Sequence, residues 1–220
     1  MKVILCTHNG GGVGKTTLAV HLAGVCSELG KVLLVDCDDQ SDAWEFYAGS
    51  KPDDDTDNAI YLSKEGISVI TNKNRKSIKK LASPSSYDYV VLDMDTPLPN
   101  IVNVIVGSNP DLILIPINYS QKYKALNNLK DTLGVILIME GKATFSPQVR
   151  VVPLGIKADE VAAPLEKLKN KPANCTVSKS MPNVQDIMQK SIYEKRNYIW
   201  DVPGYEDLRA YFEEFIEIGQ

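Results

Sequence analysis

The stretch that limits this chain most is "VILCTHNGGGVGKTTLAVHLAGV", residues 3–25. A short, wholly apolar run enters a glycine-rich turn, and an apolar run suited to a helix leaves it. Strand, glycine loop and helix in that order form an anion cradle. Consecutive glycines let backbone N–H groups approach a phosphate, and the helix N-terminus adds its dipole. In the P-loop spelling G-x-x-x-x-G-K-[ST], the lysine reaches the β- and γ-phosphates and the hydroxyl ligates Mg²⁺. The residues expected at the nucleotide are therefore Gly10, Gly11, Gly12, Val13, Gly14, Lys15, Thr16 and Thr17. Lys15 serves the phosphates, Thr16 the metal and Thr17 the α-phosphate. The spelling is irregular, because Asn9 stands where the first glycine belongs. Gly10 stands where a variant spelling, K-G-G-x-G-K-T, has lysine. A glycine turn with an incidental lysine is the competing reading, and the flanking strand and helix argue against it.

The rest of the chain repeats the alternation. Apolar runs at 3–7, 32–36, 67–70, 89–93, 112–117 and 149–153, with a seventh at 174–179, read as strands buried on both faces. Helical patterns fall at 15–29, 98–107, 119–139, 158–169 and 205–218, and Gly30 is placed to end the first. The expected fold is α/β: a single-domain P-loop NTPase over residues 1–220, with a mostly parallel central sheet covered by helices on both faces. Ligands of such sheets sit at the carboxyl ends of the strands. The segment "GSKPDDDTDN" (49–58) reads as an acidic surface loop. With 44% hydrophobic residues among 220, the chain can bury a full core. Its four cysteines form no C-x-x-C pair, which fits small buried thiols in a reducing cytoplasm. No apolar run nears the roughly 18 residues of a membrane span, and the chain enters its first strand without a signal-like segment.

Two more strands end in acid. "VLLVDCDDQ" places Asp36 and Asp38 after a buried strand, and "YDYVVLDMDTP" does the same with Asp93 and Asp95. Carboxylates beside a P-loop coordinate Mg²⁺ or orient the attacking water in phosphoryl transfer. Together with "LILIPINYSQKYKALNNL", these motifs resemble the ParA/MinD-type partition and positioning ATPases over roughly residues 1–160. The resemblance implies an Mg²⁺-dependent ATPase that dimerises around ATP. It assigns catalysis to Asp38 and Lys15, and the metal to Thr16, Asp36 and Asp93. The "DTP" at 95–97 matches the family's motif shifted by two residues, so Asp95 competes with Asp93, and Asp93 is preferred because it directly ends the apolar run.

In that family the early lysine reaches across the dimer to the partner's phosphates. Gly10 cannot. A subgroup that positions carboxysomes, McdA, also lacks this lysine and has a substitute in its second half. That role falls on Lys157 in "VVPLGIKADE", with Lys122 and Lys124 as rivals, and lysine returned to position 10 is expected to restore part of it. The net charge is −4, yet residues 150–200 hold nine Lys/Arg against five Asp/Glu. Lys179, Lys190, Lys195 and Arg196 are the DNA-binding candidates, and "NKNRKSIKKL" (72–81) is a second basic cluster. Lacking a base-reading motif, such clusters suit phosphate contacts. The amphipathic run 205–218, with an acidic polar face, is expected to pack on the body and not on a membrane. The resemblance implies a homodimer on ATP, non-specific nucleoid DNA, and an McdB-like adaptor as partners. The alternatives are a plasmid or chromosome partition ATPase with another cargo, or a P-loop metabolic enzyme or cluster carrier.

Overall fold

The computed structural model describes residues 1–53, 58–94, 98–141 and 146–217. Eight strands form one sheet: β1 Lys2–Thr7, β2 Val32–Asp36, β3 Ile60–Leu62, β4 Ser68–Thr71, β5 Tyr89–Met94, β6 Leu112–Asn118, β7 Gln148–Leu154 and β8 Cys175–Val177. Their order is β3-β4-β2-β5-β1-β6-β7-β8. Every pairing is parallel except β3 with β4. The helices are α1 Lys15–Ser27, α2 Asp42–Ala48, α3 Ile78–Leu81, α4 Leu98–Ser108, α5 Lys122–Glu140, α6 Ala158–Glu166, α7 Gln185–Gln189 and α8 Leu208–Glu217. A π-helical turn, Lys190–Lys195, continues α7.

The strands carry a core on each face because their side chains alternate. In β1, Val3 and Leu5 join a cluster with α4, α5 and α6, whereas Ile4 and Cys6 join one with α1, α2 and α8. This two-sided burial is what unbroken apolar runs encode. All four cysteines are buried and free, as expected of small core thiols. Helix α8 turns Leu208, Phe212, Phe215 and Ile216 inward, in agreement with its amphipathic pattern. Among the described residues no helix is long and apolar enough to cross a membrane.

Several elements differ from the sequence reading. Strand β3 was not expected: it is a three-residue antiparallel edge whose Ile60 and Leu62 face outward, so it lacks a buried run. The short helix α2 follows a polar step and buries only Ala43, Trp44 and Phe46. Gly30 is not a left-handed helix stop, since α1 ends on Glu28 in right-handed geometry. A Cβ at Gly30 would lie 2.6 Å from Asp88 Oδ2, so close approach explains the glycine. Part of the acidic segment 49–58, and Asp95 with it, lies outside the described residues.

Strand β1 is central. The chain leaves it toward β2 on one side and later places β6 on the other. The loops that follow β1 and β6 therefore diverge, which opens a crevice at the carboxyl edge of the sheet.

Candidate functional site

That crevice is a cleft of about 360 Å³. One wall is the loop 11–17, the second is Asp38, Gln40 and Asp42, and the third is 181–185 with Met188, Gln189 and Tyr193. Asn118, Leu154 and Gly155 complete it. All the expected loop residues from Gly11 to Thr17 thus face one space. Gly12 and Gly14 have φ of 67° and 109°, in the left-handed region that favours glycine. Gly14 also has no room for a side chain, because a Cβ there would come within 2.5 Å of Leu154 Cδ1.

Lys15 is buried, and its ammonium donates to the Gly10 carbonyl at 2.7 Å. The loop is braced from outside. Asn118 Nδ2 donates to the Gly12 carbonyl, Asn128 Nδ2 donates to the Asn9 carbonyl at 2.8 Å, and the Asn9 N–H donates to Thr132 Oγ1 at 3.1 Å. Asn9, which brings no charge, serves instead to fix the loop to α5.

The acidic strand ends meet beside the loop. Asp36 and Asp93 are register partners on adjacent strands, both buried. Burial raises the carboxyl of Asp36 to about 7, and burial plus the charge of Asp36 holds that of Asp93 well above the usual carboxylate range. The Thr16 hydroxyl donates to Asp93, while Asp93 Oδ2 has no partner among the described residues. A hydroxyl and an unpaired buried carboxylate oxygen at a phosphate loop fit Mg²⁺, which takes few protein ligands and keeps waters and phosphate oxygens. Asp36, expected near the metal, holds the turn that follows it. Its Oδ1 accepts from the Asp38 N–H at 3.0 Å and its Oδ2 from the Trp44 N–H at 2.8 Å. It anchors both ends of the 38–44 turn, which carries Asp38 into the cleft. Among the described residues no group of three or more His, Cys, Asp or Glu side chains is placed to hold a metal ion by itself.

Two buried histidines flank the site. Burial lowers both to about 4: His21 bridges the Thr17 carbonyl and the Ile199 N–H, and His8 Nε2 donates to the Ala125 carbonyl at 3.1 Å. Each folded pKa lies below the free value of about 6.5, so each contributes stability that is complete above 6.5 and is lost as pH falls toward 4. The loss is about 3 kcal/mol per ring. In an NMR titration neither ring should take up a proton before pH 5. A midpoint near 6.5 for either would contradict its burial.

The chain matches the family described as the CobQ/CobB/MinD/ParA nucleotide binding domain over residues 4–196. It belongs to that family. Within the CobQ/CobB/MinD/ParA group it is 25% identical, over 97% of its length and 95% of the relative's, to "Maintenance of carboxysome distribution protein A" of Gloeothece citriformis. It is 28% identical to "Sporulation initiation inhibitor protein Soj" of Bacillus subtilis, over 63% of this chain and 66% of that protein. The fold superimposes on the ATP complex of a Cyanothece McdA variant with a TM-score of 0.74 at 21% identity, covering 100% of this chain and 98% of that one. A nucleotide-binding, ParA/MinD-type α/β domain is thus the family's frame for this cleft.

The remaining expected residues lie outside the cleft. Lys157 caps the start of α6, exposed, two residues beyond the cleft residue Gly155. Its rival Lys122 is paired with Glu160, and Lys124 is exposed on α5. Of the DNA candidates, Lys179 pairs with Glu214 at 2.6 Å and Arg196 with Glu45 at 2.7 Å, while Lys190 and Lys195 are exposed on the π turn. In the second basic cluster Arg75 pairs with Asp39 at 3.2 Å. Sequence reasoning missed the third wall of the cleft, including Tyr193, whose hydroxyl donates to Asp42. The turn-forming "MPN" at 181–183 was its available signal, since it follows the last strand at the carboxyl edge.

Proposed function

We propose that this chain is an Mg²⁺-dependent ATPase that pairs around ATP, binds nucleoid DNA without sequence preference, and distributes carboxysomes in the cytoplasm. An McdB-like adaptor stimulates its hydrolysis and so releases it from DNA. The observation that carries the reading is the convergence of the phosphate loop, the Asp38 turn and the Thr16–Asp93 pair on one cleft. The near-full-length likeness to a carboxysome distribution protein supports the choice of cargo.

The chain's own residues account for the chemistry. Loop N–H groups and the N-terminus of α1 receive the phosphates. Lys15 exchanges the Gly10 carbonyl for phosphate oxygens, a stronger charge-assisted contact. Thr16, and Asp93 beside it, would hold Mg²⁺, which neutralises charge between the β- and γ-phosphates. Asp38 orients the attacking water and accepts its proton. The base end of the cleft, lined by Asn118, Leu154, Gly155 and Met181, takes the adenosine.

Lys157 supplies the missing cation in trans. It follows β7 at the carboxyl edge of the sheet, exposed and two residues beyond the cleft residue Gly155, which supports that reading. Two facing triphosphates in a water-poor contact gain from an added cation. Lys157→Ala should therefore lose ATP-dependent dimerisation by about tenfold or more in Kd. Its melting temperature should stay within about 2 °C, because an exposed side chain contributes little to stability. Sedimentation velocity with Mg²⁺ and ATP reads the first and thermal unfolding the second. Dimerisation equal to the wild type would remove Lys157 from the site. For DNA, the exposed Lys190 and Lys195 are the better candidates, since Lys179 and Arg196 must first leave acidic partners. Pairing of two subunits doubles the phosphate contacts, which is how ATP gates DNA affinity.

A further inference from the structure

Position 10 is occupied by glycine for a reason that the phosphate chemistry does not give. Gly10 is absent from the glycines with positive φ, so its backbone would accept any side chain. Neither does it need to be bare for lack of general space in the loop, because a Cβ at the adjacent Gly11 would meet nothing within 4 Å. At Gly10, however, a Cβ would lie 3.0 Å from His8 Nδ1, 3.3 Å from His8 Cε1 and 3.4 Å from Val13 Cγ1. The imidazole fills the direction in which a side chain would leave.

That ring cannot yield easily. It is wholly buried, and its Nε2 is held by the Ala125 carbonyl on α5. The next residue, Asn9, is held by Asn128 and Thr132 of the same helix. Ala125, Asn128 and Thr132 share one face of α5, so three contacts fix the entry of the loop as a unit. His8 Nδ1 has no partner among the described residues and is aimed at Gly10.

We propose that His8 is the residue that closes position 10 of the phosphate loop. Its ring, fixed by α5, takes the volume from which an early lysine would emerge, so the compensating cation must come from outside the loop. The inference rests on the nucleotide-binding reading of this cleft and runs against one expectation from the sequence, because it predicts that lysine returned to position 10 does not restore function while His8 is present. Displacing Gly10 also disturbs its carbonyl, which holds the Lys15 ammonium. A side chain there therefore lowers nucleotide affinity as well as stability.

A double-mutant cycle tests this. Gly10→Ala adds the single methyl at issue, and His8→Gln removes the ring atoms that face Gly10 while keeping an amide donor at the reach of Nε2 for the Ala125 carbonyl. In the wild-type background Gly10→Ala should lower the melting temperature by about 4 °C or more, and Gly11→Ala by much less. It should also weaken binding of a fluorescent ATP analogue about tenfold, and Gly10→Lys at least as much. In the His8→Gln background both effects of Gly10→Ala should shrink to within about threefold and 1 °C. Additive effects, or a Gly10→Ala protein as stable as the wild type, would overturn the proposal. The melting arm needs no nucleotide, so a wild-type protein that fails to bind ATP would sink the nucleotide reading and leave this test decisive. If His8→Gln does not fold, the His8 ring ¹⁵N resonances decide: they shift in Gly10→Ala if the methyl presses on the ring, and unchanged resonances refute it.

Discussion

Lys15→Ala is expected to weaken ATP binding by about a hundredfold or more, the cost of leaving a desolvated phosphate without its charge-assisted donor. The structure makes the expectation specific. Lys15 is buried at the first turn of α1, already turned toward the loop and donating to the Gly10 carbonyl. It is the only cation in the loop 8–17 that could meet a phosphate, because the sole other basic side chain, His8, is buried and neutral. The variant should fold, since the loop is also braced by Asn118 and, through Asn9, by Asn128 and Thr132. It should also lose the rise in melting temperature that ATP gives the wild type. Titration with a fluorescent ATP analogue and thermal unfolding with and without ATP measure both. Unaltered affinity would remove the phosphate-loop reading altogether.

Asp38→Ala is expected to leave ATP affinity within about threefold and to slow hydrolysis by about a hundredfold or more, the contribution of a positioned general base. The separation follows from how the turn is built. Asp36 holds the backbone N–H groups of residues 38 and 44, so the turn keeps its course when the Asp38 side chain is removed. What disappears is the carboxylate facing the cleft, together with its acceptance of the Gln40 N–H at 2.8 Å. Single-turnover hydrolysis and equilibrium binding separate the two effects. Loss of binding and hydrolysis together would make Asp38 a structural or metal-holding residue instead.

The parts of this molecule that could be read from the sequence are those set by local pattern. The apolar run 32–36 coincides with β2, and the runs of β5, β6 and β7 match within two residues, because strands buried on both faces are continuous in sequence. The cleft's first two walls were legible for the same reason, since the glycine loop and the acidic turn each follow their strand directly. The third wall was not. Met181, Asn183 and Met188 come to the phosphate loop only through the order of strands in the sheet, which no local pattern encodes. The role of Asp36 was equally hidden. Its sequence position is that of a metal ligand, but the two N–H groups it accepts belong to a turn and a short helix without an apolar stripe. The sequence offered no role for His8, and the one proposed rests on its distance from the space a Gly10 side chain would need.

The central claim is that ATP converts a monomer into a dimer able to hold any DNA. The Asp38→Ala protein is the right material, because it should keep its ATP. Its mass and its binding to two unrelated DNA duplexes can be followed by analytical ultracentrifugation with ATP, with ADP and without nucleotide, over a series of salt concentrations. The account predicts dimers on both duplexes with equal affinity, only with ATP, and a salt slope of about −0.9 for each phosphate contact. A protein that stays monomeric with ATP, binds DNA as well without it, or prefers one duplex would contradict the account.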